Sequence, residues 1–129
     1  MTRQISIDEK FPDELNTSEY RIIVKSIAKS FAYYLHNITD IFKNADISMD
    51  FEHPLYEREP KIIFTVYVEN IKKEDIEDAW KKLRNILDGL FYTMEKMNPE
   101  DRKKLKKMYD MCFVHLEWSV SFIGSREYA

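Results

Sequence analysis

In the segment "CFVHLEWSVSF", residues 112–122, apolar and polar side chains alternate without a break from Val114 to Phe122. Neighbouring side chains on a β-strand point to opposite sides, so this segment is predicted to be a strand that lies on a hydrophobic core. Leu116 and Trp118 are expected on the buried side, and His115 on the side that faces away from the core.

Three other segments show the same strand pattern in shorter form. Residues 3–7 predict a short first strand, residues 46–52 a second, and residues 61–69 a third that is rich in β-branched and aromatic residues. The segment "HPLYEREP" between the second and third strands has a proline near each end, so it is predicted to be a hairpin loop.

Apolar residues at helical spacing predict a long helix over residues 18–43. Asn16 is expected to cap its N-terminus, and Glu19 to reach back to the cap.

A second helix is predicted over residues 72–97, because four acidic residues open it and an apolar stripe follows. Gly89 within it favours a bend or an interruption. The pair Asn98-Pro99 ends this helix and starts a short third one, which runs into the last strand.

The predicted order is therefore β-α-β-β-α-α-β in a single α+β domain over residues 1–129. Each strand has one apolar face, which two helices on one side of an antiparallel sheet would cover. The arrangement predicts a ferredoxin-like two-layer sandwich with three or four strands, depending on whether residues 3–7 form a strand. An extra short helix precedes the last strand.

The composition indicates a globular protein, with 44% hydrophobic and 33% charged residues. No apolar run reaches the roughly 20 residues of a membrane span, and the first residues contain no apolar signal segment, so a cytoplasmic location is expected. The single cysteine, Cys112, excludes an internal disulfide and is expected to be buried. Abundant Lys, Glu and Ile are typical of thermophilic proteins.

Catalytic chemistry has little support in the sequence. With two glycines, at positions 89 and 124, the chain has no phosphate-binding loop or dinucleotide motif, and no cofactor is expected. Asp50, His115 and Glu117 lie on the predicted polar side of the sheet and have the side chains of a zinc or manganese site. A ferredoxin-like order would separate their strands by about 14 Å. A metal-dependent or small-molecule enzyme using this polar face remains an alternative.

A basic run, "RKKLKK" at residues 102–107, lies on the predicted third helix. Such runs usually form a solvated helix face, and the net charge of −3 is unlike that of most nucleic-acid-binding proteins. A nucleic-acid-binding regulator remains a second alternative, and it would use the basic residues Arg102, Lys103, Lys104, Lys106 and Lys107.

The predicted helix at 18–43 carries two apolar residues, Ile22 and Tyr33, almost opposite its main stripe. Lys25, Lys29, His36 and Asp40 are expected to share their side of the helix. An apolar pair with a polar rim is typical of protein interfaces, so Ile22, Tyr33 and His36 are predicted to bind a partner.

The segment "DISMDFEHPLYEREPKIIFTVYV" and the later "DAWKKLRNIL" lie within residues 46–87. They resemble part of the archaeal RNA polymerase subunit L family, on His53, Pro54, Leu55, Arg58 and Pro60. The resemblance covers about a third of the chain. It implies two strands joined by a His-Pro-Leu turn, a following amphipathic helix, and dimerisation through helices.

These observations together predict a non-enzymatic protein-interaction or assembly domain. The expected partner is a second copy of the chain or another protein, and the expected contact is made by the long helices.

Overall fold

The computed structural model describes residues 5–53 and 59–120. Within them the strands are β1 (Ser6–Ile7), β2 (Asp46–Glu52), β3 (Lys61–Ile71) and β4 (Cys112–Val120). The α-helices are α1 (Ser18–Asn37), α2 (Ile76–Met97) and α3 (Arg102–Met111), and a single 3-10 turn precedes each of them. The predicted α+β class and the order of the elements are confirmed. Residues 3–4, 54–58 and 121–122 of the predicted strands and hairpin loop lie outside the described residues.

The sheet is mixed, with the strands in the spatial order β1-β2-β3-β4. β1 pairs with β2 in parallel, β2 pairs with β3 antiparallel, and β3 pairs with β4 in parallel. The prediction of an antiparallel sheet was therefore wrong, and a ferredoxin-like sandwich is not confirmed. The physical reason is that each helical crossover joins two neighbouring strands, and such a crossover brings its strands together in parallel.

The described helices pack on one face of the sheet, where they form a single hydrophobic core. Phe31 of α1 contacts Phe64 of β3, with ring centroids 5.2 Å apart. Leu116 of β4 is buried on the same face, beside Val66 of β3. The largest fully buried side chains are Phe31, Phe42, Phe64, Leu15, Ile27, Leu35, Met49, Ile62, Leu83, Leu87, Met108 and Met111.

The two helical crossovers have opposite hands. Both advance in the same direction across the sheet, from β1 to β2 and from β3 to β4, and both use helices on the same face. However, β1 and β3 run in opposite directions, because β2 is parallel to β1 and antiparallel to β3. One of the two crossovers therefore departs from the right-handed rule that parallel strand connections follow.

Helix α1 is shorter than its apolar pattern predicts, since it ends at Asn37 rather than at residue 43. The side chains of Asn37 and Thr39 donate hydrogen bonds to the carbonyl oxygens of Tyr33 and Leu35, at 2.9 and 2.6 Å. Leu35 lies in the last turn of α1, where carbonyl groups lack a partner inside the helix, so the bond from Thr39 satisfies one of them where the helix ends. Phe42 nevertheless reaches the core from the following turn.

The N-terminal cap of α1 also differs from the prediction. Thr17 is the capping residue, and its hydroxyl accepts a hydrogen bond from the backbone N–H of Tyr20 at 3.3 Å. The side-chain oxygen of Asn16 instead accepts a hydrogen bond from Arg21 at 2.9 Å.

Helix α2 continues through Gly89 without interruption and ends before Asn98-Pro99, as that pair predicts. The Asn98 side chain donates a hydrogen bond to the carbonyl of Met94 at 3.2 Å, so it satisfies the end of α2 rather than the start of the next helix. None of the helices in residues 5–53 and 59–120 combines the length and the apolar character needed to cross a membrane.

Strand β4 follows the predicted alternation at its centre but not at its end. Leu116 is buried and His115 is exposed, as predicted, whereas Trp118 is 45% exposed. β4 is the outer strand of the sheet, and its residue Trp118 lies opposite Val68, near the end of β3. α3 runs into Cys112, at the opposite end of β4, so it does not cover Trp118. The prediction that Trp118 is a core residue was wrong.

A β-bulge separates the last pairs of β3 and β4, between Val68 and Ile71. Asn70 within it has a backbone φ of 58°, in the left-handed region that asparagine tolerates better than most residues. Its N–H donates a hydrogen bond to the hydroxyl of Ser119 at 3.1 Å, which ties the bulge to β4.

We expect Phe31→Ala to lower the free energy of unfolding by about 3–5 kcal/mol, because it leaves a cavity against Phe64 in the core. Trp118→Ala should lower it by about half as much or less, because nearly half of that side chain already contacts solvent. Urea unfolding followed by circular dichroism measures both values. An equal or larger cost at Trp118 would contradict the exposure of its side chain.

Candidate interaction surfaces

The outward face of α1 carries the two apolar side chains that the sequence singled out. Ile22 is 66% exposed and Tyr33 is 64% exposed, on the side of the helix opposite Ile27 and Phe31. They are eleven positions apart, or about 16 Å along the helix axis. Ser26 and Lys29 lie between them and are exposed. The structure therefore brings Ile22 and Tyr33 to one side of the molecule without direct contact between them.

His36 does not belong to this surface, contrary to the prediction. Its side chain is buried, and its Nε2 atom lies 2.8 Å from the carbonyl oxygen of Ala45. At 100° per residue His36 borders the buried stripe of α1, and it faces the turn that leads into β2. His36 therefore connects α1 to this turn, and only Ile22 and Tyr33 remain of the predicted partner-binding set.

A groove of about 540 Å³ lies between α1 and α2. Tyr34, Ile86 and Leu90 supply its apolar lining, and its polar lining comes mainly from α2, including Lys81 and Asp78. No group of three metal-ligating or catalytic side chains lines it within the part of the chain that the structure describes.

The basic residues of α3 are partly used in contacts within the molecule. Arg102 forms an ion pair with Glu95 of α2 at 2.6 Å, and Lys104 forms one with Glu19 of α1. Lys104 and Lys107 also lie over the ring of Tyr20, with the Nζ atoms 6.0 and 5.8 Å from its centroid. Of the predicted set, Lys103 and Lys106 are exposed, and no ion pair is described for them within residues 5–53 and 59–120.

The polar face of the sheet does not bring Asp50, His115 and Glu117 together. Asp50 pairs with Ile63, and Ile63 pairs with Phe113, so Asp50 is level with Phe113 rather than with His115. β3 separates their strands, and two strand spacings amount to roughly 9.6 Å. On β4 the Nε2 atom of His115 lies 3.6 Å from the Oε1 atom of Glu117. Among the described residues, no three side chains are arranged to hold a metal ion.

Cys112 and Tyr109 are the residues whose ionisation the surroundings change most clearly. Burial raises the pKa of the Cys112 thiol to about 12, so it stays protonated at neutral pH. The hydrogen bond that Tyr109 donates to Asp88 at 2.7 Å raises the pKa of Tyr109, and burial adds to the effect. Neither group has the lowered pKa that activates a nucleophile.

The sequence did not predict a further apolar surface at the end of β4. Trp118 and Val120 are exposed there on the side of the sheet that the helices cover, and Trp80 is exposed near the start of α2. Phe113 is exposed on the other side of β4. Helical and strand periodicity place Trp80 and Trp118 among core positions, and the exposure of Trp118 follows from β4 being an edge strand. No pattern in the sequence shows that β4 lies at the edge of the sheet.

Comparisons with protein-family models, with curated proteins and with solved structures found no significant match to this chain. Of the residues that carry the resemblance to the subunit L family, Pro54, Leu55 and Arg58 lie outside the described residues. His53 is exposed, with its Nε2 atom 3.5 Å from a carboxylate oxygen of Glu14, and Pro60 is buried.

We expect the lysines of α3 to fall into two classes. The double variant Lys104→Gln, Lys107→Gln should lose about 0.5–1 kcal/mol of stability, because both ammonium groups contact Tyr20 and one pairs with Glu19. The matched variant Lys103→Gln, Lys106→Gln should be within about 0.5 kcal/mol of the wild type. Thermal unfolding at low and high salt measures both, and equal effects would contradict the contacts described.

Cys112 should resist modification in the folded chain. Because its pKa is raised above the ordinary value of 9.0, its contribution to stability is complete below that value and is lost as the pH rises towards about 12. At pH 8 we expect a disulfide reagent such as DTNB to label the native chain at least about 100-fold more slowly than the chain in urea. Complete labelling at similar rates in both states would show that the thiol is accessible.

Proposed function

We propose that this chain is a non-enzymatic protein-interaction domain that pairs with a second copy of itself through the outward face of α1. The observation that carries the proposal is the exposure of Ile22 and Tyr33 on a helix whose other side is completely buried. The core does not use these two side chains, and tyrosine is enriched in protein interfaces.

The spacing of the two residues suits a symmetric contact. If two α1 helices pair antiparallel about a two-fold axis midway between Ile22 and Tyr33, each Ile22 faces the Tyr33 of the partner. Ser26 and Lys29 then lie equally near the axis, so Ser26 of each chain faces Lys29 of the other. Lys25, further round the helix, would contribute to the polar rim.

The resemblance to the archaeal RNA polymerase subunit L family supports the same mode of assembly, because it implies dimerisation through helices. The resemblance rests on His53, Pro54, Leu55, Arg58 and Pro60 and on the strand and helix pattern that surrounds them, and the proposal takes from it the mode of assembly and not membership of the family.

The two alternative functions have less support. Nucleic-acid binding by α3 would have to compete with the contacts that Arg102 and Lys104 make to Glu95 and Glu19. An enzyme on the polar face of the sheet would need carboxylates and a histidine closer together than Asp50 and His115 are.

We expect wild-type protein to associate at micromolar concentration in sedimentation velocity. The double variant Ile22→Glu, Tyr33→Glu should weaken this contact by about 100-fold or more, because pairing would bury four carboxylates around the two-fold axis. Circular dichroism should show an unchanged fold, since both positions are exposed.

The matched control is Tyr92→Glu with Met97→Glu. These residues of α2 are a tyrosine and an aliphatic side chain of similar exposure, 59% and 74%, away from α1's outward face. The control should associate as the wild type does. Equal behaviour of the two double variants, or a monomeric wild type, would remove α1 from the interface.

A further inference from the structure

We propose that the outer edge of β4 is a second self-association surface, on which β4 of another copy pairs antiparallel about a two-fold axis at Leu116. The inference goes beyond the proposed function, because it concerns a different surface and does not need the α1 contact. It rests on the length of the edge, the residues along it and the register that they allow.

The two edges of the described sheet differ strongly. β1 forms one edge and has two residues, whereas β4 forms the other and has nine. Edge strands that stay unpaired are usually short, or are protected by proline, lysine or a bulge in the strand. β4 contains no proline, lysine or glycine, and no other strand in residues 5–53 and 59–120 pairs along its outer edge. Within the described residues no strand bonds to its outer backbone groups, and a further strand would pair with them.

Apolar side chains are exposed on both faces of β4, as expected for a strand that has no neighbour on one side. Trp118 and Val120 are exposed on the helix side, and Phe113 is exposed on the other side. A second strand along the edge would cover parts of all three.

One register suits the strand better than its alternatives. Leu116 is the midpoint of Cys112–Val120, so a two-fold axis at Leu116 pairs the whole strand with its copy. His115 of each chain then lies opposite Glu117 of the other, and Val114 lies opposite Trp118. A histidine that faces a carboxylate can donate a hydrogen bond to it, and the two carry opposite charges when the histidine is protonated. An aromatic side chain opposite a β-branched one also stabilises a sheet.

Shifting the axis by one residue loses these pairs. An axis at Glu117 places the two Glu117 carboxylates directly opposite each other, and an axis at His115 places the two histidines opposite each other. Within one chain His115 and Glu117 are already in contact, with 3.6 Å between the ring nitrogen and a carboxylate oxygen. With the axis at Leu116, the two histidines and two glutamates of the pair of chains would form one cluster in which the residue types alternate. The complementarity of the His115 and Glu117 side chains thus favours a second copy as the partner and fixes its register.

The test uses two variants made in the chain that already carries Ile22→Glu and Tyr33→Glu, so that it reads the β4 edge alone. Variant A adds His115→Glu and would place four acidic side chains around the axis. Variant B adds Glu117→Lys and would remove the acidic partners of His115. Both positions are exposed, so circular dichroism and thermal unfolding should match those of the parent chain.

We expect the parent chain to dimerise, and variants A and B to associate at least about 10-fold more weakly when each is alone. An equimolar mixture of A and B should form a heterodimer in sedimentation velocity, because the carboxylate that His115→Glu introduces in A then faces the ammonium group that Glu117→Lys introduces in B. Hydrogen exchange over residues 112–120 of the parent chain should slow as its concentration rises. These two results support the edge contact.

A monomeric parent chain, variants that associate as well as the parent, or a mixture no stronger than its components would each overturn the proposal. Failure of the α1 contact has a different signature, since the parent chain would then associate as the wild type does. The mixing experiment would still report on β4.

Discussion

The structure depends on the pairing of β3, which bonds to β2 along one edge and to β4 along the other. The side chains of β3 that point towards the helices line the core, where Phe64 contacts Phe31 of α1. A strand that is paired on both sides and covered on one face leaves little freedom to its neighbours. β2 and β4 both take their register from β3, and Met49 and Leu116 are buried on the same side of the sheet as Phe64.

The parts of the fold that the sequence predicted are those with a local cause. Alternation located the strands and the buried side of Leu116, helical spacing located α1 and α2, and Asn98-Pro99 marked the end of α2. The parts it missed have non-local causes. Trp118 is exposed because β4 lies at the edge, which depends on strand order, and His36 is buried because a carbonyl of a distant turn accepts its hydrogen bond. Helical spacing is a local pattern, and it predicted that Ile22 and Tyr33 face outward. No local pattern predicted the exposed surface around Trp118.

The charged residues of α3 show how a basic segment can serve packing. Arg102 and Lys104 attach α3 to α2 and to the start of α1, so that α3 closes one end of the molecule. Leu105, Met108 and Met111 are buried on the other side of the same short helix. The buried side supplies most of the stabilisation, because exposed ion pairs contribute little, while the charges orient the helix. With the basic side chains partly used in this way, the exposed apolar residues on α1 and at the end of β4 are the surface features on which the two proposed contacts rest.

The opposite hands of the two crossovers bear on the history of the chain. Many α/β proteins consist of two halves that a rotation superimposes, which is the trace of a gene duplication. Here the β1-α1-β2 unit and the unit that runs from β3 through α2 and α3 to β4 differ in hand, and no rotation converts a left-handed connection into a right-handed one. The absence of a sequence repeat agrees with this geometry. The fold therefore does not consist of two halves that a rotation superimposes.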